Sequence, residues 1–198
     1  MNYLAHAYLS FLHPQVLVGN MISDFVKGRA RYSFEPLVQK GIQLHRDIDT
    51  FTDNHPATAA AKQFFKPVAG LYAGAFVDVV YDHFLALDTA ELDEIGWRQF
   101  SAQTYTVLQA HLPVLPERFA SMLPYMQQQD WLFNYRYHRA IQNSFAGLAR
   151  RAVYLETSAP AFEAFETFYT ELGQIYKEFF PFVKTFASAR LQELLLEP

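Results

Sequence analysis

Ionisable side chains recur at four-residue steps inside two of the more apolar stretches of this chain: His45, Asp49 and Asp53 in one, Asp78, Asp82 and the adjacent His83 in the other. Four residues is close to one helical turn, so each set falls on one face of a helix. A carboxylate buried without a cationic partner costs several kcal/mol. A group of them inside apolar segments therefore makes sense mainly if a metal ion sits among the carboxylates and imidazoles. The implied chemistry is metal-dependent hydrolysis.

The rest of the sequence points to helices. Prolines at 14, 36, 56, 67, 113, 116, 124 and 160 divide the chain into mostly helix-length intervals. Between them apolar residues recur at three and four, as in Leu44, Ile48, Phe51 and in Phe162, Phe165, Phe168, Tyr169. No Asn-Gly or Asp-Gly hairpin signal occurs. The expected fold class is all-α, a single-domain helical bundle over residues 1–198 with helices near 2–12, 15–32, 36–53, 57–65, 68–87, 91–111, 115–128, 130–150 and 160–195, the last broken near Gly173 or Pro181. The valine-rich run Phe76–Tyr81 also fits a short strand, and on either reading Asp78 and Asp82 face the same way.

Composition narrows the functional classes. With 51% hydrophobic residues, 198 residues suffice for one well-buried core. A formal charge of -4 argues against a nucleic-acid binder, and the absence of cysteine removes disulfides, thiolate metal sites and cysteine nucleophiles. The N-terminal residues lack the pattern of a signal peptide, and no uninterrupted apolar stretch approaches the ~18 residues of a membrane span, so a soluble cytoplasmic protein is expected, with no membrane partner. Phosphate-loop, nucleophile-elbow, His-Glu-x-x-His and dinucleotide signatures are missing.

Three segments carry the candidate chemistry. On Gly41–Pro56, His45, Asp49 and Asp53 form a polar stripe beside the apolar one, half of a metal site; a solvated face with Asp53 capping the next helix fits the same spacing. On Phe76–Leu85, apolar neighbours surround Asp78 and Asp82, which would repel each other unless a cation lay between them or each found an arginine or a helix end. His83 is offset about 100° from Asp82, as an acid/base or supporting residue would be. On Gly19–Arg31, Asp24 is the one acid in an apolar stretch, followed by Lys27, Arg29 and Arg31, an arrangement suited to phosphate or to a simple Asp24–Lys27 pair. His6 fits either a site residue or a hydrogen-bonded core histidine. Arg136, His138, Arg139, Arg150 and Arg151 form a further basic, aromatic-rich region that fits a solvated face or a contact with an acidic partner.

These segments, with the opening Asn2-Tyr3-Leu4-Ala5-His6 and more faintly Asp130-Trp131-Leu132, resemble the acyl carrier protein phosphodiesterase family, also called holo-acyl-carrier-protein hydrolase. The resemblance implies a divergent HD-type phosphohydrolase fold, manganese dependence with magnesium or iron as alternatives, and hydrolysis of the phosphodiester between 4′-phosphopantetheine and acyl carrier protein. It implies Asp24, His45, Asp49, Asp78 and Asp82 as metal ligands and His83 as a catalytic residue. In the expected mechanism His83 or His6 protonates the leaving oxygen, Arg46 or Lys27 neutralises phosphate charge, and Lys27, Arg29 and Arg31 dock the acidic carrier protein. The chain departs from the family pattern at Ser23 and Asp47, and in having only Lys62 and Lys66 as basic residues around 62–70. A related phosphodiesterase acting on a nucleotide or another small diester, and a non-catalytic helical binding module, are the rival readings.

Overall fold

The computed structural model describes residues 1–197; Pro198, the last residue of the expected domain, lies outside the described residues. Among the described residues there is no strand, and the run at Phe76–Tyr81 is helical. The α-helices are α1 (Tyr3–Tyr8), α2 (Pro14–Ile22), α3 (Pro36–Asn54), α4 (Pro56–Ala69), α5 (Ala73–Leu87), α6 (Glu94–Ala110), α7 (Glu117–Gln128), α8 (Trp131–Asn134), α9 (His138–Arg151), α10 (Ala159–Thr167) and α11 (Tyr169–Leu196).

Helices α2, α3 and α4 each begin on a proline, whose fixed φ suits the first turn and whose missing N–H is not needed there. Asp93 caps α6 by accepting from the Gly96 N–H at 2.7 Å. The expected helix over 15–32 stops at Ile22: a 3-10 turn over Ser23–Phe25, extended Val26 and Lys27, and Gly28 at φ 54° follow. The helix expected over 2–12 ends at Tyr8, before Phe11 and Leu12 adopt positive φ. Its C-terminal counterpart breaks at Phe168, while α11 continues through Gly173 and Pro181. The helix expected over 130–150 is likewise two, α8 and α9.

α3, α5 and α11 form the middle of the bundle. α5 is buried over most of its length and pairs with α4; α11 lies across α3 and α4; α1 packs on α2 and α5; α9 and α10 close the side beyond α4 and α5. The buried apolar side chains make one contiguous cluster from Met1 to Leu194. The segment Pro56–Leu87 averages enough hydropathy for a membrane span, but it comprises two helices, each shorter than the ~20 residues a span needs, broken at Gly70 with φ 52°.

The closest helix pair is α2 with α3. A Cβ on Gly19 would stand 2.0 Å from the Val38 carbonyl oxygen, and one on Gly41 would stand 2.2 Å from that of Val16. Only glycine permits this approach. It places the end of α2, with Asn20, against the middle of α3, with His45 and Asp49.

Candidate metal centre

Where α1, α2 and α3 meet, two imidazoles and a carboxylate converge. The rings of His6 and His45 stack with centroids 3.8 Å apart and planes 15° from parallel. His6 Nε2 lies 3.1 Å from Asp49 Oδ1, and His45 Nε2 lies 3.1 Å from Asp49 Oδ2 and 3.3 Å from Asp24 Oδ1. Both histidines are buried, whereas the Asp24 side chain is 72% exposed, so the cluster opens to solvent on the Asp24 side.

The hydrogen-bond pattern fixes what these nitrogens can do. His45 Nδ1 is 2.7 Å from the backbone carbonyl of Asn20, a group that only accepts, so Nδ1 carries a proton. The Asn20 side-chain amide donates to the His6 carbonyl (2.9 Å) and to Ser10 Oγ (3.0 Å). Its Oδ1 is then the atom facing His6 Nδ1 at 2.8 Å, and that nitrogen must be the donor. In the neutral rings both Nε2 atoms are lone pairs aimed at carboxylate oxygens. His45 Nε2 is buried and aligned with neither Asp24 nor Asp49 well enough to form a hydrogen bond.

Acceptors facing acceptors at these distances require positive charge between them. Without a metal, a proton partly fills the need: burial lowers the His45 pKa, but Asp24 and Asp49 outweigh it and hold the ring at about 9. Burial and the neighbouring His45 push His6 down to about 4, so its Nε2 stays bare beside Asp49 at neutral pH. Asp24 is held below the usual carboxylate range by His45; partial burial raises the half-buried Asp49 carboxyl, but His45 outweighs it and holds it low as well. Donor atoms of His6, His45 and Asp49 all lie within 4.8 Å of one another. Mixed imidazole and carboxylate donors of this kind could hold a divalent cation, and Asp24 lies at the open edge of the group.

The structure sends the other expected ligands elsewhere. Asp82 is buried and accepts from the backbone N–H groups of Asn2 (3.2 Å), Leu4 (2.7 Å) and Ala5 (3.2 Å), so it caps the start of α1. Burial pushes its carboxyl up to about 7 against those donors. Asp78 accepts from the Met1 ammonium at 2.8 Å, and that ammonium also lies 3.6 Å from Asp49. The two aspartates share a face as expected, and both find hydrogen-bond partners at the start of α1. Asp53 turns outward to Lys62 at 2.7 Å.

His83 is a core histidine. Its Nδ1 is 2.7 Å from the Tyr135 carbonyl, its Nε2 is 2.8 Å from the Tyr169 hydroxyl, and burial lowers it to about 4. With both nitrogens engaged and the ring neutral, it offers no proton to the cluster. Arg46 donates to the Val26 carbonyl at 3.1 Å and ties the Asp24 turn to α3. Lys27 and Arg29 are exposed, with no acidic partner within ion-pair distance among the described residues, so the Asp24–Lys27 pair does not form. Arg31 is engaged with Gln43 (3.1 Å) and the Tyr32 hydroxyl (2.8 Å). Asp47, unusual for the family pattern, pairs with Arg190 of α11 at 2.7 Å.

The sequence reading passed over Asn20. Its signal was there: it is the one polar side chain in the buried run Val16–Ile22.

The family profile described as acyl carrier protein phosphodiesterase matches residues 1–183. A protein named acyl carrier protein phosphodiesterase from Serratia proteamaculans is 35% identical over 182 residues, 91% of this chain and 94% of its own. One of the same name from Escherichia coli O157:H7 is 32% identical over 191 residues, 96% of this chain and 99% of its own. No solved structure matches the chain. On the strength of a profile that spans nearly the whole sequence and relatives aligned end to end, the chain belongs to the acyl carrier protein phosphodiesterase family.

Proposed function

We propose that this protein is a cytoplasmic phosphodiesterase that cleaves 4′-phosphopantetheine from holo-acyl carrier protein, leaving the apo protein, at a divalent-metal centre built from His6, His45, Asp49 and Asp24. Family membership supports the reaction. The observation that carries the site is the pair of imidazoles whose Nδ1 atoms are committed as donors while both Nε2 atoms face carboxylates. The expected relation to HD-type phosphohydrolases is part of the proposal, supported by histidines and aspartates carried on helices.

Manganese, magnesium and iron all suit the donor set, and when bound such an ion supplies charge stabilisation of the phosphoryl oxygens and acidifies water. The protein does the rest by positioning. The stacked imidazoles are held in one orientation by Asn20, and Asp49 reaches both. Asp24, ionised and mostly exposed, completes the donor set at the edge of the centre that opens to solvent. Lys27 and Arg29, on the turn after Asp24, present unpaired positive charge to an acidic protein.

The test is direct. Purified protein with Mn²⁺ is incubated with holo-acyl carrier protein, and the product is weighed by mass spectrometry. Loss of the prosthetic group's mass is expected, and Asp49→Asn should abolish it. Turnover of a model phosphodiester with the carrier protein untouched would instead point to a small-molecule substrate.

A further inference from the structure

We infer that Asn20 is the positioning residue that sets the tautomer of both imidazoles at the metal centre, His6 through its side chain and His45 through its backbone. The inference rests on the reading that His6, His45 and Asp49 hold a divalent cation.

The placement follows from where α2 ends. The last four carbonyls of a helix have no intrahelical partner, and α2 ends at Ile22. The Asn20 carbonyl is therefore free, and the glycine-mediated approach of α3 brings His45 Nδ1 to it at 2.7 Å. On the other side, Asn20 lies fully buried against α1. Its amide orientation is fixed because the opposite flip would set Oδ1 against the His6 carbonyl at 2.9 Å, acceptor to acceptor. The orientation left places Oδ1 on His6 Nδ1. A hydrogen bond to the distal ring nitrogen is how a metal-binding histidine is given its tautomer and ring direction, and losing such a partner typically costs 10–100-fold in metal affinity. Here one residue supplies that bond to two ligands.

The two halves separate experimentally. Asn20→Leu removes the side-chain acceptor from His6 but leaves the backbone carbonyl facing His45. Asn20→Asp keeps an oxygen at Oδ1, and its second oxygen, buried against the His6 carbonyl, takes up a proton and donates in place of the amide. Free Mn²⁺ measured by electron paramagnetic resonance gives the dissociation constant, and long-range ¹H–¹⁵N spectra of Zn²⁺-loaded protein report each ring's tautomer. The expected result for Asn20→Leu is 10–100-fold weaker Mn²⁺ binding, with the His6 ring signals altered and the His45 signals unchanged. Asn20→Asp should bind within a few-fold of wild type. Equal losses in both variants, or His6 and His45 changing together, would show that Asn20 merely staples α1 to α2 and would overturn the inference. Unchanged binding in Asn20→Leu would also overturn it. Failure of the wild type to bind Mn²⁺ at all would refute the metal centre itself.

Discussion

Replacing Gly41 by alanine tests the frame on which the site depends. An alanine Cβ at this position would sit 2.2 Å from the Val16 carbonyl oxygen and 2.9 Å from two further Val16 backbone atoms. Ordinary contact begins at 3.4 Å, so α2 and α3 must separate by about 1.2 Å, and backbone cannot swing aside as a side chain can. The same movement would stretch the His45 Nδ1 to Asn20 carbonyl bond from 2.7 Å to about 3.9 Å, beyond hydrogen bonding. Alanine gains up to ~1 kcal/mol over glycine from helix propensity, while overpacking of this kind costs ~1–3 kcal/mol or more. The net expectation is a loss of up to about 2 kcal/mol by urea denaturation, with weaker Mn²⁺ binding by the folded fraction. Gly147→Ala is the control: it lies inside α9, and the nearest atoms to its Cβ are the guanidinium ends of Arg151 at 3.6 Å and Arg150 at 3.8 Å. It should stabilise by up to ~1 kcal/mol. If Gly41→Ala proves as stable as Gly147→Ala and binds Mn²⁺ like wild type, the close helix approach does not set the site.

Other perturbations probe separate parts. Asp82→Ala leaves three backbone N–H groups at the start of α1 without their carboxylate, at roughly 1–3 kcal/mol for each that finds no new partner; a loss under ~1 kcal/mol in urea melts would contradict the capping role. His83 is held at about 4 in the folded state against 6.5 unfolded, so the unfolded chain takes up the proton first. The stability His83 contributes is therefore complete above pH 6.5 and falls as pH drops toward 4, by about 3 kcal/mol, and His83→Gln should show a correspondingly shallower decline across that window. Substituting Lys27 and Arg29 together by alanine should raise KM for holo-acyl carrier protein several-fold, leave kcat unchanged and flatten the dependence on salt; a fall in kcat alone would place them at the chemistry instead of the docking surface.

The helical class, most helix positions and two of the three candidate segments, Gly19–Arg31 and Gly41–Pro56, that supply residues to the proposed metal centre were legible in the linear chain; the third, Phe76–Leu85, supplies none. Class and helix positions are local matters: apolar periodicity near 3.6 and proline at a helix start act within a few turns. The sequence also placed His45 and Asp49 on one face, where the structure finds them at 3.1 Å. Tertiary structure decided which acids meet which cations. Asp78 and Asp82 carry the same local signal as Asp49, yet the start of α1, some eighty residues away, takes both, and Asp49 turns to two imidazoles. Asp24 belongs with His45 only because α2 stops at Ile22 and the turn after it folds back on α3. His6 and Asn20 join the centre because Gly19 and Gly41 let two backbones approach more closely than any other residue would allow. A buried polar group is satisfied by whatever the fold brings opposite it, and that partner is written in no local stretch of the chain.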